Sequence, residues 1–498
     1  MSAIFFPSPP PLLSSTELAA TTSTLRQSHA HLLKTGLIHD PFSAGSLISS
    51  TASSPHTLSY AHSIFTHLQN PNPFSYNSLI RAYANSPTPD RSISLFVSML
   101  FDENVEPDEY TFTFALKACS AVKTVGVGKQ IHGHVIKHGV DDNVYICNSL
   151  IHMYAKGGCF MVARNLLDEM PERDVVSWNA ILSGYVSLGK MGLARKVFDE
   201  MPERNVESGN LMVFGYVKDG LVSEARRVFD GMLLKDVVSW NVMVTGYADK
   251  GRFDEVFKLF DDMERLGVRP DDYTLVDVLS CCARVSGPSG LSQGEWIHGY
   301  IDKNKIEMSG FLATALVDMY SKFGCIEKAL ETFRKTPEKD ISTWNSMITG
   351  LGLHGYGENA IETFYELLAD GFKPNEGTFV SVLSACSRSG LLKEGYKMFE
   401  LMVHTYGIKP ITEHYGCMVD LLGRFGRLDE AEKLAKQVTF KESRVVWESL
   451  LGACRNHNDV KMAKRVTMKL RELVPCDAAG YVQLSDVHSS TGMFLKPN

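Results

Sequence analysis

The 498-residue chain has no Cys-x-x-Cys pair, no His-x-Glu element, no phosphate-binding glycine loop and no nucleophile elbow. The first two absences remove the ligand set and the acid of a zinc deaminase. The other two remove the usual signatures of nucleotide hydrolysis and of serine acyl transfer. Acidic residues are plentiful but scattered, with no paired arrangement suited to acid–base work. No uninterrupted apolar run reaches about 18 residues, so no membrane-spanning helix is expected. The ten cysteines (Cys119, Cys147, Cys159, Cys281, Cys282, Cys325, Cys386, Cys417, Cys454 and Cys476) lack the spacing of a disulfide framework, which fits a reducing compartment. An excess of positive charge is missing too. Fifty Lys and Arg stand against 57 Asp and Glu, a net charge of −7, so attraction to nucleic acid could come only from a local basic stripe. Residues 1–24 contain one acid, Glu17, and the first arginine is Arg26. Such an acid-poor, Ser/Thr-rich leader reads either as an organelle transit peptide or as a disordered terminus.

What the chain does have is a repeat. Val-Val-Ser-Trp-Asn occurs at Val175–Asn179 and Val237–Asn241, and Ile-Ser-Thr-Trp-Asn at Ile341–Asn345. Each stands in a helical pattern that restarts every 31 to 36 residues. A period of that size means stacked helical hairpins, so the expected fold is an all-α, right-handed α-solenoid superhelix of helix-turn-helix repeats. In the unit Val206–Asp236, Leu211, Met212 and Phe214–Tyr216 supply the apolar side of a first helix. Gly220 breaks it, and Ala225, Val228, Phe229 and Met232 mark a second. Trp178, Trp240 and Trp344 recur in phase, as do Phe198, Phe229 and Phe260, and all six read as core. Cys119, Cys282 and Cys386 each fall eleven residues into their unit, which reads as a small buried residue. The segment Ser286–Gly290 reads as an insertion within a longer unit, Asp272–Ser309.

These units resemble pentatricopeptide repeats, specifically the plant subfamily that mixes standard, longer and shorter motifs. The resemblance lies in Asn-Ser-Leu-Ile-His-Met-Tyr-Ala-Lys (148–156), Asp-Glu-Met-Pro-Glu-Arg-Asp (168–174), Gly-Val-Arg-Pro-Asp (267–271), Tyr-Thr-Phe-Thr-Phe-Ala-Leu-Lys-Ala-Cys-Ser (110–120) and Gly-Lys-Gln-Ile-His-Gly-His (128–134). It implies a repeat tract over residues 25–443, with about eleven full units and a partial one at the N-terminal end. Val-Val-Trp-Glu-Ser-Leu-Leu-Gly-Ala-Cys-Arg (445–455) resembles the first half of the family's E-type extension, assigned to 444–477. Gly480–Asp486 resembles the start of its second half, which at 478–498 is expected to be truncated, with no deaminase-like domain after it.

Repeat families that read RNA give one base to each unit through two or three side chains. Units are numbered here from the residue two before the Ser-Trp-Asn triplet or its equivalent. Position 5 is then Asn77, Asn148, Asn179, Asn210, Asn241 and Asn345, or Thr113 and Thr314. The last residue is Asp108, Asp174, Asp236, Asp271 and Asp340, or Asn143, Asn205 and Asn375. Two readings fit these columns. Asn or Thr could cap the first helix while Asp closes the turn between units; or the side chains could bond base edges. The resemblance favours base reading and implies a code. Uracil suits Asn77/Asp108, Asn148/Asp174, Asn210/Asp236 and Asn241/Asp271. A pyrimidine suits Asn179/Asn205 and Asn345/Asn375, guanine suits Thr314/Asp340, and adenine suits Thr113/Asn143 weakly. Little discrimination is expected at Gly45/Asn72, Val276/Ser309, Val380/Ile411 and Gly416/Ser443.

The implied core site is U-(A)-U-Y-U-U-N-G-Y. Lys156, Lys218, Lys322, Arg388 and Arg424 recur at position 13, either as phosphate contacts along a groove or as charges favouring the helix C-terminal dipole. The resemblance implies a non-catalytic, monomeric binder of single-stranded organellar RNA, in mitochondrion or chloroplast, with no cofactor and no membrane partner. E-type relatives imply cytidine-to-uridine editing with a deaminase or other editing factor recruited through the extension. Transcript stabilisation or splicing is the alternative, and a tetratricopeptide-like protein scaffold a more distant one.

Overall fold

A unit folds into two helices because its apolar residues recur at three- and four-residue spacing and a glycine stops the first run. In Val206–Asp236 the first helix is Val206–Lys218 and the second Val222–Gly231. Gly220 between them has φ of 77°, a left-handed conformation that only glycine adopts without strain. The Leu221 N–H then returns to the Tyr216 carbonyl (2.8 Å), the pattern of a Schellman C-cap. Neighbouring units repeat this turn at Gly158 and Gly189.

The computed structural model describes residues 15–438 and 444–473, and these form 27 α-helices arranged as stacked pairs. The pairs fall into two compact units that meet in sequence at Gly246 and Tyr247. In the N-terminal unit, the first helices Pro41–Thr51, Pro73–Ala84, Glu109–Val122, Val144–Lys156, Val175–Ser187 and Val206–Lys218 each pack on the next. In the C-terminal unit the same row runs through Asp272–Cys282, Gly310–Lys322, Ile341–Leu353, Glu376–Ser389, Thr412–Arg424 and Arg444–Asn456. Each first helix also packs on its own second helix, so neither apolar stripe is left open.

Length differences between repeats reside in the second helix. The 31-residue units carry ten-residue second helices, such as Met191–Glu200 and Ile326–Lys335, whereas Ile341–Asn375 carries the 13-residue Gly357–Ala369. The row of first helices therefore keeps its register while repeat length varies. Ser286–Gly290 includes the start of a longer second helix. Pro288 starts a 16-residue second helix, Pro288–Lys303, because proline at the first helical position gives up no internal hydrogen bond. A helix spans Ser15–Thr35 and takes in residues 15–24, where Glu17, Leu18, Ala19 and Ala20 are strong helix formers; residues 1–14 lie outside the described residues. The extension assigned to 444–477 folds as one more pair, Arg444–Asn456 and Val460–Leu473, the former packed on Thr412–Arg424. The second E-type half, 478–498, lies outside the described residues.

The core uses the recurring aromatics as expected. Trp178, Trp240 and Trp344 are buried, as are Phe198, Phe229 and Phe260. Phe229 on a second helix meets Trp240 of the following unit edge to face at 4.9 Å, and Phe333 meets Trp344 in the same way at 4.8 Å. Such contacts add about 0.5–1.5 kcal/mol to the burial of each ring and tie one unit to the next. Cys119, Cys282 and Cys386 are buried, and burial pushes their thiols up to about 11, 12 and 12. They are packing groups. Phe214 does not join the core: it is 49% exposed, on the face opposite Met212.

Successive first helices approach closely at Gly184, where an added Cβ would lie 2.2 Å from the Ala155 Cβ and 2.9 Å from its carbonyl carbon. Gly184→Val should therefore cost about 1–3 kcal/mol, seen as a lower thermal midpoint. Gly192→Ala, with nothing within 4 Å, should be neutral or stabilising by up to ~1 kcal/mol. Equal midpoints for the two variants would contradict the close packing.

Candidate nucleic-acid interface

Position 5 lies within the second turn of each first helix, so it is not the helix cap. Asn148 is the fifth residue of Val144–Lys156, and Asn210 the fifth of Val206–Lys218. The capping role falls wholly to the last residue of the preceding unit. Asp108, Asn143, Asp174, Asn205, Asp271, Asp340 and Asn375 are each the N-cap of the next first helix, with the side-chain oxygen accepting a backbone N–H. Asp236 accepts from the Ser239 N–H at 2.9 Å in the same manner.

The two columns meet because the cap of one helix lies beside the second turn of the helix before it. Asn77 Nδ2 donates to both oxygens of Asp108 at 2.9 Å. Asn210 Nδ2 donates to Asp236 at 3.0 Å, Asn148 to Asp174 at 3.4 Å, and Asn179 to Asn205 at 3.4 Å. Asn345 and Asn375 flank Gly377, whose Cβ position is 3.5 Å from Asn345 Nδ2 and 3.4 Å from Asn375 Oδ1. Asn241 lies half-buried on the helix Val237–Asp249. The threonines differ. Thr113 donates its hydroxyl back to the Glu109 carbonyl (2.8 Å). Thr314 bonds the Gly310 carbonyl at 2.8 Å and lies 3.0 Å from the Thr343 hydroxyl, which itself bonds Asp340.

These side chains are set lower than free rungs would be. Asn148 and Asn179 are 8% and 4% exposed, while Asn77, Asn210, Asn345 and Thr314 are half-buried. The amide carbonyl oxygens of Asn148, Asn179, Asn210 and Asn345 are covered and have no hydrogen-bond partner. An unpaired buried carbonyl costs about 1–3 kcal/mol, which a donor reaching it would recover. The amides are thus aimed neither into the apolar core nor outward to the second helices, but along the seam between first helices. That seam opens as a groove of about 670 Å³ lined by Asn210, Asp236, Glu207, Phe214, Val238 and Val242.

Burial alone would raise the Asp236 carboxyl, but hydrogen bonds from Asn210 and Ser239 outweigh it and hold the group below its ordinary value. His152, at position 9, is driven the other way. Its burial, with Lys156 and Lys117 nearby, pushes it down to about 4, so it faces Ser183 Oγ (3.1 Å) as an uncharged ring.

A third column escaped the reading from sequence. Position 2 carries large apolar residues that face solvent: Tyr110, Tyr145, Val176, Val238 and Phe311 are between 54% and 71% exposed. Position 2 precedes position 5 by three residues and so shares its face. The available signal was apolar residues at positions 1, 2 and 4 together, a stripe wider than the core contact can cover. The position-13 cations occupy the last turn of their helices. They do not form a uniform row. Lys322 is paired with Asp318 (2.8 Å) and Arg424 with Asp420 (3.1 Å), each an acid one turn earlier, whereas Lys156, Lys218 and Arg388 have no ion pair among the described residues.

The PPR repeat family model matches residues 173–210, 235–284 and 339–388, and the PPR repeat model matches 74–102, 145–175, 210–237, 311–341, 377–404 and 413–438. The chain is 58% identical to pentatricopeptide repeat-containing protein At4g18840 of Arabidopsis thaliana, over 98% of this chain and 89% of that one. It is 44% identical to pentatricopeptide repeat-containing protein At2g42920, chloroplastic, of the same plant, over 95% and 79%. Among solved structures, maize PPR10 aligns at 20% identity over 90% of this chain and 76% of that one, with a TM-score of 0.49. PPR10 in complex with an 18-nt psaJ RNA element aligns with a TM-score of 0.45, at 20% identity over 91% and 77%.

The Asn210–Asp236 bond can be tested by titration. In Asn210→Ala the Asp236 carboxyl should ionise at a higher pH than in the parent, followed by its side-chain carbon resonance. A carboxyl that ionises at the same or a lower pH would show that the amide does not hold it.

Proposed function

We propose, for a chain that belongs to the pentatricopeptide repeat family, that it binds a single strand of organellar RNA sequence-specifically and has no catalytic role of its own. The observation that carries this reading is the bonded pairing of position 5 with the following cap, repeated at Asn77, Asn148, Asn179 and Asn210 beside an open seam. Polar groups of restricted type, one set per unit and flanked by exposed apolar side chains, suit bases that stack on the latter and bond the former. Lys156, Lys218 and Arg388 then contact phosphates.

The site follows as U-(A)-U-Y-U-U-N-G-Y, with Thr113/Asn143 the weakest reader because its two side chains bond elsewhere. We further infer that the protein selects a transcript for cytidine-to-uridine editing, with a deaminase recruited in trans by the helical pair Arg444–Leu473. The chloroplastic relative supports an organelle as the place of action.

Binding of labelled U-A-U-C-U-U-N-G-C should exceed that of its scrambled version and weaken with salt; equal affinity for both would reject the assignment. Thr314→Asn should move the preference of that unit from guanine toward uracil by roughly tenfold, given about 1–3 kcal/mol for a good base contact. An unchanged base profile would leave Thr314 as a helix residue only. Lys218→Ala should weaken all sequences alike and reduce the salt slope by about one, and by more than Lys322→Ala, whose cation is already held by Asp318. Equal slopes for the two variants would contradict the phosphate assignment.

A further inference from the structure

Most first helices carry Ser or Thr at position 3, and these residues, Ser43 apart, are fully buried. Capping explains half of their bonding. Thr111 Oγ1, for instance, accepts the Asp108 N–H at 3.1 Å. It does not explain why the same oxygen lies 2.7 Å from Asn77 Oδ1, a residue of the preceding unit, while also lying 2.9 Å from Asp108 Oδ1. Asn77 Nδ2 donates to both Asp108 oxygens, and when the single Thr111 hydroxyl proton goes to Asn77 Oδ1, both ends of the Asn77 amide are held. Thr343 makes the corresponding reach. Its hydroxyl lies 3.0 Å from Thr314 Oγ1 and 2.8 Å from Asp340 Oδ1. At Ser177, Ser208 and Ser239 the bonds are to the cap residue. Ser177 and Ser239 bond Asp174 and Asp236, Ser208 bonds the Asn205 backbone, and the Oδ1 atoms of Asn148, Asn179 and Asn210 stay without a partner.

We propose that the position-3 hydroxyl of the following unit, where it reaches back, is a third member of the reading set, a positioning residue that fixes which hydrogen-bonding edge position 5 presents. Where it reaches back, at Thr111 and Thr343, the reading side chain is ordered before RNA arrives. Base selection is then sharper than at Asn148, Asn179 and Asn210, whose amides are held at one end. The hydroxyl itself touches no base. This rests on the RNA-reading function proposed above and adds to it the residue that sets how strictly those units read.

The test compares four oligomers that differ only in the base opposite the Asn77/Asp108 unit, bound by the full chain and by Thr111→Val and Thr111→Ser. Valine keeps the shape and removes the hydroxyl; serine keeps the hydroxyl. The ratio of affinities for uracil over the next best base should fall roughly three- to tenfold in Thr111→Val, the worth of one hydrogen bond, and be retained in Thr111→Ser. The ratio opposite Asn210/Asp236 should not change in either variant. A uniform loss of affinity for all four oligomers, an unchanged ratio, or a serine variant that behaves like valine would overturn the proposal and leave capping as the whole role. A parent protein without base preference at either unit would instead reject RNA reading itself. Should Thr111→Val fail to fold by its thermal midpoint, Thr343→Val against the guanine-reading unit of Thr314 makes the same comparison.

Discussion

The last residue of four repeats, Asp108, Asp174, Asn205 and Asp236, serves two neighbours at once, and the candidate site depends on that double duty. Its side-chain oxygen caps the next first helix, a role worth about 1 kcal/mol, and in the same place receives the amide of position 5 from its own unit. Asp236 shows both, with Ser239 N–H on one side and Asn210 Nδ2 on the other. The cap fixes where the next helix starts, so it also fixes where the next reading side chain stands. Helix capping and the proposed recognition therefore share a residue, and neither column can drift without the other.

That coupling explains how the array tolerates uneven repeats. The extra residues of the longer units lengthen second helices, as in Gly357–Ala369, while first helices stay in register through contacts such as Phe333 on Trp344 and Gly184 on Ala155. Charge is divided in a similar way. Salt bridges such as Arg195–Asp199 and Arg226–Asp230 are exposed pairs within second helices, each of little energetic weight. Lys156, Lys218 and Arg388 have no ion pair among the described residues, so a chain of net charge −7 keeps free cations on first helices.

Helical hairpins were legible because period, glycine turns and in-phase aromatics all point to the same fold. The polar columns were legible as columns but not in their local role. Nothing in Asn148 or Asn210 says whether an asparagine caps a helix or sits in its second turn; that depends on where the helix begins, which the preceding Asp or Asn decides. The exposed side of position 2 was hidden because Val176 and Tyr145 look like core residues until the width of the buried stripe is known. Phe214 was misplaced for the same reason. Partners one turn away on the same helix, Asp318 for Lys322 and Asp420 for Arg424, were visible in spacing but outweighed by the attraction of a uniform cation row. The reach of Thr111 to Asn77 spans 34 residues and could come only from packing.

The most direct test of the account is a crystal structure of the chain bound to U-A-U-C-U-U-N-G-C. The account predicts base edges within hydrogen-bond distance of Asn77, Asn148, Asn210 and Thr314, with rings against Phe74, Tyr145 and Phe311 at position 2 of their units. A strand lying across the second helices, or one held by its phosphates with bases turned away from the seam, would contradict it.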